Sequence, residues 1–177
     1  MKRAFVITIL LSLFVLFSEC AKHKAAVNTV PATQSPETDS ALLAKAASLT
    51  GYYYKNNDTI FPSAPASAHK AFFRVRFNDI AKNALTDNGK LPVGTTFPSG
   101  SLIVKELHDN AAGTALKGYA IMEKLPADPN AGGQWVWAEY VSTTTPSGIL
   151  IAGKGSECIS CHSSGDRDKL RLFDLFP

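Results

Sequence analysis

Ala71-Phe72-Phe73-Arg74-Val75-Arg76-Phe77 is the stretch that decides the fold of this chain. From Phe73 onward apolar residues alternate with arginines, so an extended strand puts Phe73, Val75 and Phe77 on one face and Arg74 and Arg76 on the other. Downstream segments repeat the message. Phe97-Pro98-Ser99-Gly100 supplies a turn, with proline preset for one corner and glycine free to take positive φ. A strand is expected next, from Ser101 to about His108. Asp109 to Thr114 separates it from a second run, Leu116 to Leu125, which predicts a hairpin or meander. After a loop from Pro126 to Gly133, Gln134-Trp135-Val136-Trp137-Ala138-Glu139-Tyr140-Val141 is aromatic and β-branched enough for a further strand.

Helical signals are short. Ser40 to Leu49 is rich in Ala and Leu, with Asp39 or Ser40 as its N-cap. Asn78 or Asp79 can cap a second helix through Ile80, Ala81, Ala84 and Leu85, ending near Asn88-Gly89. The expected class is mainly β (α+β), an antiparallel sheet with a few short helices. At 177 residues the chain has the length of one domain, and a formal net charge of +3 gives no reason to expect a nucleic-acid partner.

Outside the sheet, Cys158-Ile159-Ser160-Cys161-His162 has the spacing by which a c-type haem is attached. On one helical turn both thiols point to the same side and can form thioethers with the two haem vinyl groups, which leaves His162 as proximal iron ligand. Two other readings compete. Zinc would need a fourth donor from Cys20, His23, His69 or His108, none of which stands in a second paired spacing. A redox dithiol normally opens a helix near the start of a βαβ unit, whereas this pair lies near the C-terminus. One covalent haem c, through Cys158 and Cys161, is the expected cofactor.

The N-terminus agrees with attachment outside the cytoplasm. Lys2 and Arg3 precede an apolar run from Ala4 to Phe17, which reads as a secretory signal over residues 1–19. The run is shorter than the roughly 20 residues of a membrane span. Cys20 follows Leu16-Phe17-Ser18-Glu19, similar to a lipobox except that Glu19 replaces the usual small residue. Lipidation of Cys20, or cleavage nearby without a lipid, are the two readings, and both place the chain in the periplasm or outer envelope. Residues 20–40, rich in Ala, Thr, Ser, Pro and Lys, read as a flexible tether, and residues 41–177 as one haem domain.

Phe97-Pro98-Ser99-Gly100-Ser101-Leu102-Ile103-Val104-Lys105-Glu106-Leu107, the later Gln134-Trp135-Val136-Trp137, the Cys158 to His162 pentapeptide and the closing Asp168 to Phe176 segment occur in this order. That arrangement resembles the cytochrome P460 family, whose neighbours include the β-sheet cytochromes c-prime, also called c-prime-beta. The likeness runs from about Phe72 onward. It implies a mono-haem protein with His162 proximal and an open or water-bound distal site. It also implies a lysine bonded to the haem edge, Lys105 by position, in enzymes that oxidise hydroxylamine and nitric oxide with electrons passing to a soluble cytochrome. The c-prime-beta relatives lack that bond and bind diatomic gases, and dimers are common in the group.

Strand alternation groups Lys105 with Ser101, Ile103 and Leu107, and Glu106 with Leu102, Val104 and His108. A lysine on a mainly apolar face either sends its charge to water along its stem or carries a lowered pKa that frees the amine for chemistry. Hydroxylamine oxidation also needs something to take protons from a bound nitrogen species; the resemblance implies a distal carboxylate for this, with Glu139 and Glu157 as candidates by proximity. Arg74 and Arg76 either hold haem propionates or form an exposed stripe. Met122 reads as core, His69 as a surface residue and His108 as half of a solvated pair with Asp109, although neither histidine is excluded as an axial ligand. An electron carrier with two protein ligands is the remaining alternative.

Overall fold

The computed structural model describes residues 35–56, 58–65, 67–163 and 166–175. The expected signal at 1–19, Cys20, most of the tether and Phe176 lie outside the described residues. In chain order the elements are α1 (Asp39–Ser48), β1 (Tyr52–Tyr53), β2 (Phe61–Pro62), β3 (Phe72–Phe77), α2 (Asp79–Asn83), β4 (Leu102–His108), β5 (Leu116–Lys124), β6 (Trp135–Tyr140), β7 (Gly148–Ile149), α3 (Ser156–His162) and α4 (Leu172–Leu175). All strands join one antiparallel sheet in the order β1-β3-β4-β5-β6-β7, with β2 sharing the outer edge of β3 beside β1. The mainly β class with a few short helices is what the alternation predicts.

Each long strand begins or ends within a residue or two of its expected limits. The helices differ more. Asn78, not Asp79, caps α2 by accepting the Ala81 N–H, and the helix stops at Asn83. Its expected continuation is replaced by a tight turn in which Asp87 and Lys90 pair across Asn88 and Gly89, both at positive φ. Asn-Gly in the two corner positions favours that hairpin-type turn over another helical turn. In α1 the cap is Thr38, one residue before the candidates.

The folded body also starts inside the expected tether. Glu37 is buried and bonds the Lys45 ammonium at 2.5 Å, while Asp39 accepts the Tyr140 hydroxyl at 2.8 Å and the Ile151 N–H at 3.1 Å.

Register makes the two faces of the sheet explicit. Val75, Lys105, Ala120, Glu139 and Ile149 form one row across five strands, so they share a face with Phe73, Phe77, Ile103, Met122, Trp135 and Trp137. That face carries the larger aromatic core, closed by Leu91, Phe97, Leu170, Leu172 and Phe173. The reverse face carries Leu102, Val104, Tyr119, Ile121, Val136, Ala138 and Tyr140, covered by Leu42, Leu43 and Ala46 of α1. Each buried leucine there contributes about 1.5–3 kcal/mol, which fixes a helix of only ten residues that would not persist alone.

Candidate functional site

The aromatic face holds an unusual set of polar groups. Lys105 lies half-buried on β4 with its Nζ 4.3 Å from the centre of the Phe73 ring. Burial pushes its pKa down to about 8, and the charge of Glu139, two strands away across Ala120, opposes that only in part. A free amine is therefore within reach near neutral pH.

Glu139 itself binds His69, with 2.6 Å between Oε2 and Nδ1. A carboxylate accepts only, so Nδ1–H donates and the Nε2 of His69 is left with its lone pair. The His69 ring is a quarter exposed and stands 6.4 Å, centre to centre, from the His162 ring. This corrects the reading of His69 as a plain surface residue. Its position in the loop after β2 gave no period from which a partner on β6 could be inferred.

His162 ends α3, and its Nδ1 lies 2.8 Å from the Lys169 carbonyl oxygen, to which Nδ1–H donates. The other nitrogen is again free. Burial lowers the His162 pKa, and nearby His69, Lys105 and Arg171 lower it further against the effect of the Lys169 carbonyl. The neutral imidazole that results is the form that ligates a metal, with the backbone hydrogen bond fixing the tautomer. The indole of Trp137 meets the same ring edge-on, with centres 5.1 Å apart.

Two features place α3 and the segment after it. Gly155 at its N-cap has φ 69°, and a Cβ there would fall 2.2 Å from Trp137 Cδ1. Only glycine allows the helix to start against the indole. Asp168, in the segment that follows α3, accepts the Lys124 ammonium at 2.8 Å, the Phe97 N–H at 2.8 Å and the Trp135 indole N–H at 3.2 Å. It thereby ties to the sheet the segment whose next carbonyl, Lys169, holds His162. Sequence reading passed over Asp168 because nothing in the pattern pairs it with Lys124 on β5.

Cys158 and Cys161 lie three residues apart on α3, neither in a disulfide. Burial pushes the Cys158 thiol up to about 11, helped by the charges of Glu139 and Glu157. A redox dithiol or a zinc thiolate needs the reverse shift. No cluster of three or more metal-ligating side chains exists among the described residues. Two thiols on one helical turn, with that of Cys158 held protonated by burial, followed by a histidine with one nitrogen free, fit the donor set by which a haem would be held covalently.

Several expected residues stand elsewhere. Arg74 and Arg76 point to the reverse face, where both pair with the buried Glu106 and stack on the Tyr53 ring with Cζ at 4.6 and 4.8 Å from its centre. The expectation that they hold haem propionates is thus corrected: both are engaged by Glu106 and the Tyr53 ring, across the sheet from His162. His108 is buried on that same face, its Nε2 3.4 Å from Glu106, rather than paired in water with Asp109. Asp109 binds Lys70 and Lys117 instead. Glu157 is exposed on α3 and only lends charge to Cys158, whereas Glu139 belongs to the cluster. Met122 is buried core, as its strand face implied.

No curated protein matches the chain. The cytochrome P460 family matches residues 52–170, the stretch from β1 to the segment that holds His162. With a family match over most of its length, an antiparallel sheet and a haem donor set on α3, the chain belongs to the cytochrome P460 family of haem cytochromes.

Proposed function

We propose that the chain is an exported c-type cytochrome with one haem, held by Cys158 and Cys161 and ligated by His162, that oxidises hydroxylamine and/or nitric oxide and passes the electrons to a soluble cytochrome. The observation that carries this reading is the placement of Lys105 and Glu139 in one row of the sheet face that also receives His162. Haem bound there supplies an iron that takes small nitrogenous ligands and exchanges electrons.

The protein groups have separate tasks. Oxidation of hydroxylamine to nitrous oxide releases protons and electrons in equal number, so a proton acceptor must stand near the substrate. Glu139, hydrogen-bonded to His69 and open to solvent at one side, is the group suited to it. Lys105, with its lowered pKa, is the amine suited to bonding the haem edge, a step that gives up two protons and an electron pair to an external oxidant. Trp137, Phe73 and Phe61 supply apolar wall.

A ferrous Soret band displaced far to the red, lost in Lys105→Leu, together with a haem peptide joined to a Lys105 peptide in mass spectrometry, is the expected result. Hydroxylamine turnover with a chemical oxidant should fall about 10²-fold in Glu139→Gln. Fully haem-loaded protein with no turnover would leave non-catalytic binding of nitric oxide or carbon monoxide as the better reading. Export follows from residues 1–19, and lipid attachment at Cys20 predicts that Cys20→Ala moves the protein from the membrane to the soluble periplasmic fraction.

A further inference from the structure

His69 and His162 share more than proximity. Each has its Nδ1 engaged by a fixed acceptor, Glu139 Oε2 for one and the Lys169 carbonyl for the other, and each is left with Nε2 as the ligating nitrogen. Metal-ligating histidines are typically oriented in this way, by a carboxylate or a backbone carbonyl on the far nitrogen. The separation also fits. An imidazole nitrogen sits about 2 Å from its metal with the ring centre about 1.1 Å behind it, so two imidazoles on opposite sides of one ion have centres roughly 6 Å apart. The observed value is 6.4 Å, with ring planes 72° to each other.

We propose that His69 is the second axial ligand of the resting haem, so that the iron is closed by two histidines and a small ligand binds only when His69 leaves. The inference rests on the haem being held at Cys158, Cys161 and His162. No other described histidine competes: His108 lies on the reverse face with Glu106.

The chain presents His69 on a loop that is closed at its base. Ser63 donates its N–H to the Ala71 carbonyl at 2.8 Å and its hydroxyl to the Lys70 carbonyl at 2.6 Å, and Lys70 pairs with Asp109 at 3.3 Å. The loop supplies the movable ligand, whereas Glu139 sits between two neighbouring strands, β5 and β7, and gives the imidazole a fixed seat. Glu139 is then a positioning residue at rest and becomes available to protons from substrate when His69 moves away.

The test is spectroscopic and independent of turnover. Purified ferric holoprotein should be low-spin without added ligand, with the near-infrared magnetic circular-dichroism band of two nitrogen ligands and the strongly anisotropic electron-spin signal of near-perpendicular imidazole planes. His69→Ala should be high-spin, return to low-spin on adding imidazole, and bind nitric oxide at least about tenfold more tightly, since an internal competitor lowers apparent affinity by the fraction of open sites. A high-spin wild-type protein overturns the proposal even if His69→Ala fails to load haem, and so does a low-spin state that survives in His69→Ala. Absence of covalent haem from the wild-type protein would overturn the underlying haem assignment instead, and normal hydroxylamine turnover leaves the spin-state result to decide alone.

Discussion

Lys105 and Glu106 are neighbours on one strand, yet they show opposite ways of handling a charge in a sheet. Glu106 faces α1's side, is almost fully buried, and is neutralised by Arg74 and Arg76 with His108 beside it. Lys105 faces the aromatic side, where its ammonium lies over the Phe73 ring and feels the charge of Glu139. The reverse face therefore spends its charges on its own stability. The aromatic face leaves a lysine and two imidazole nitrogens available, a cost that stability alone does not explain. The aromatic face also pairs Lys124 with Asp168 and Glu139 with His69, so the difference is local. It is around Lys105 and His162 that this face leaves an amine and imidazole nitrogens without an ion-paired or hydrogen-bonded partner among the described residues.

The largest test breaks the saturated face. Glu106→Ala would strand two guanidinium groups in a largely buried site, and a loss of about 3–5 kcal/mol is expected in urea unfolding. Lys105→Met should change stability by less than about 1 kcal/mol, with either sign, because it removes a charge that burial already disfavours. Equal losses at the two positions would erase the contrast between the faces.

A smaller effect should come from the anchor between the sheet and the segment after α3. Asp168→Ala leaves the Lys124 ammonium and two N–H donors without their acceptor and is expected to cost about 2–3 kcal/mol. Its diagnostic is local: haem incorporation should fall with stability, because the Lys169 carbonyl that orients His162 loses its mooring. Full haem loading with unchanged spectra in a destabilised Asp168→Ala protein would separate the anchor from the site.

The smallest effect concerns pH. Burial, with the hydrogen bond to Asp39 next, raises the Tyr140 pKa above the ordinary value of 10.0, and burial with the Glu106 charge raises that of Tyr119. The folded state then holds these protons more tightly than the unfolded state. Their contribution is complete below pH 10 and is lost as pH rises through the folded values. Tyr140→Phe should cost about 1 kcal/mol at neutral pH and make the alkaline decline in the urea midpoint shallower. An unchanged slope would remove Tyr140 from the alkaline transition.

Legibility followed the range of the interaction. Strand alternation around Phe73 and Trp135, and the division of β4 into a Lys105 face and a Glu106 face, are local in sequence and were readable. The partners were not. Arg74 and Arg76 looked free to hold propionates because alternation assigns a face without saying which face receives the haem. His69 looked like a surface residue because its partner Glu139 lies on another strand and its counterpart His162 on a helix near the C-terminus.

By itself the sequence determined a mainly β antiparallel domain, and a haem signature at Cys158 to His162 with Lys105 on an apolar strand face. Both depend on short-range spacing: two residues per strand repeat, and one helical turn between thiols. Only the tertiary structure decided that Glu106 consumes the arginines, that Asp168 moors the segment holding His162, and that His69 and Glu139 meet beside it. Those choices turn on which strand lies next to which and how α3 is seated against Trp137, and such long-range pairings leave no periodic mark in a single chain.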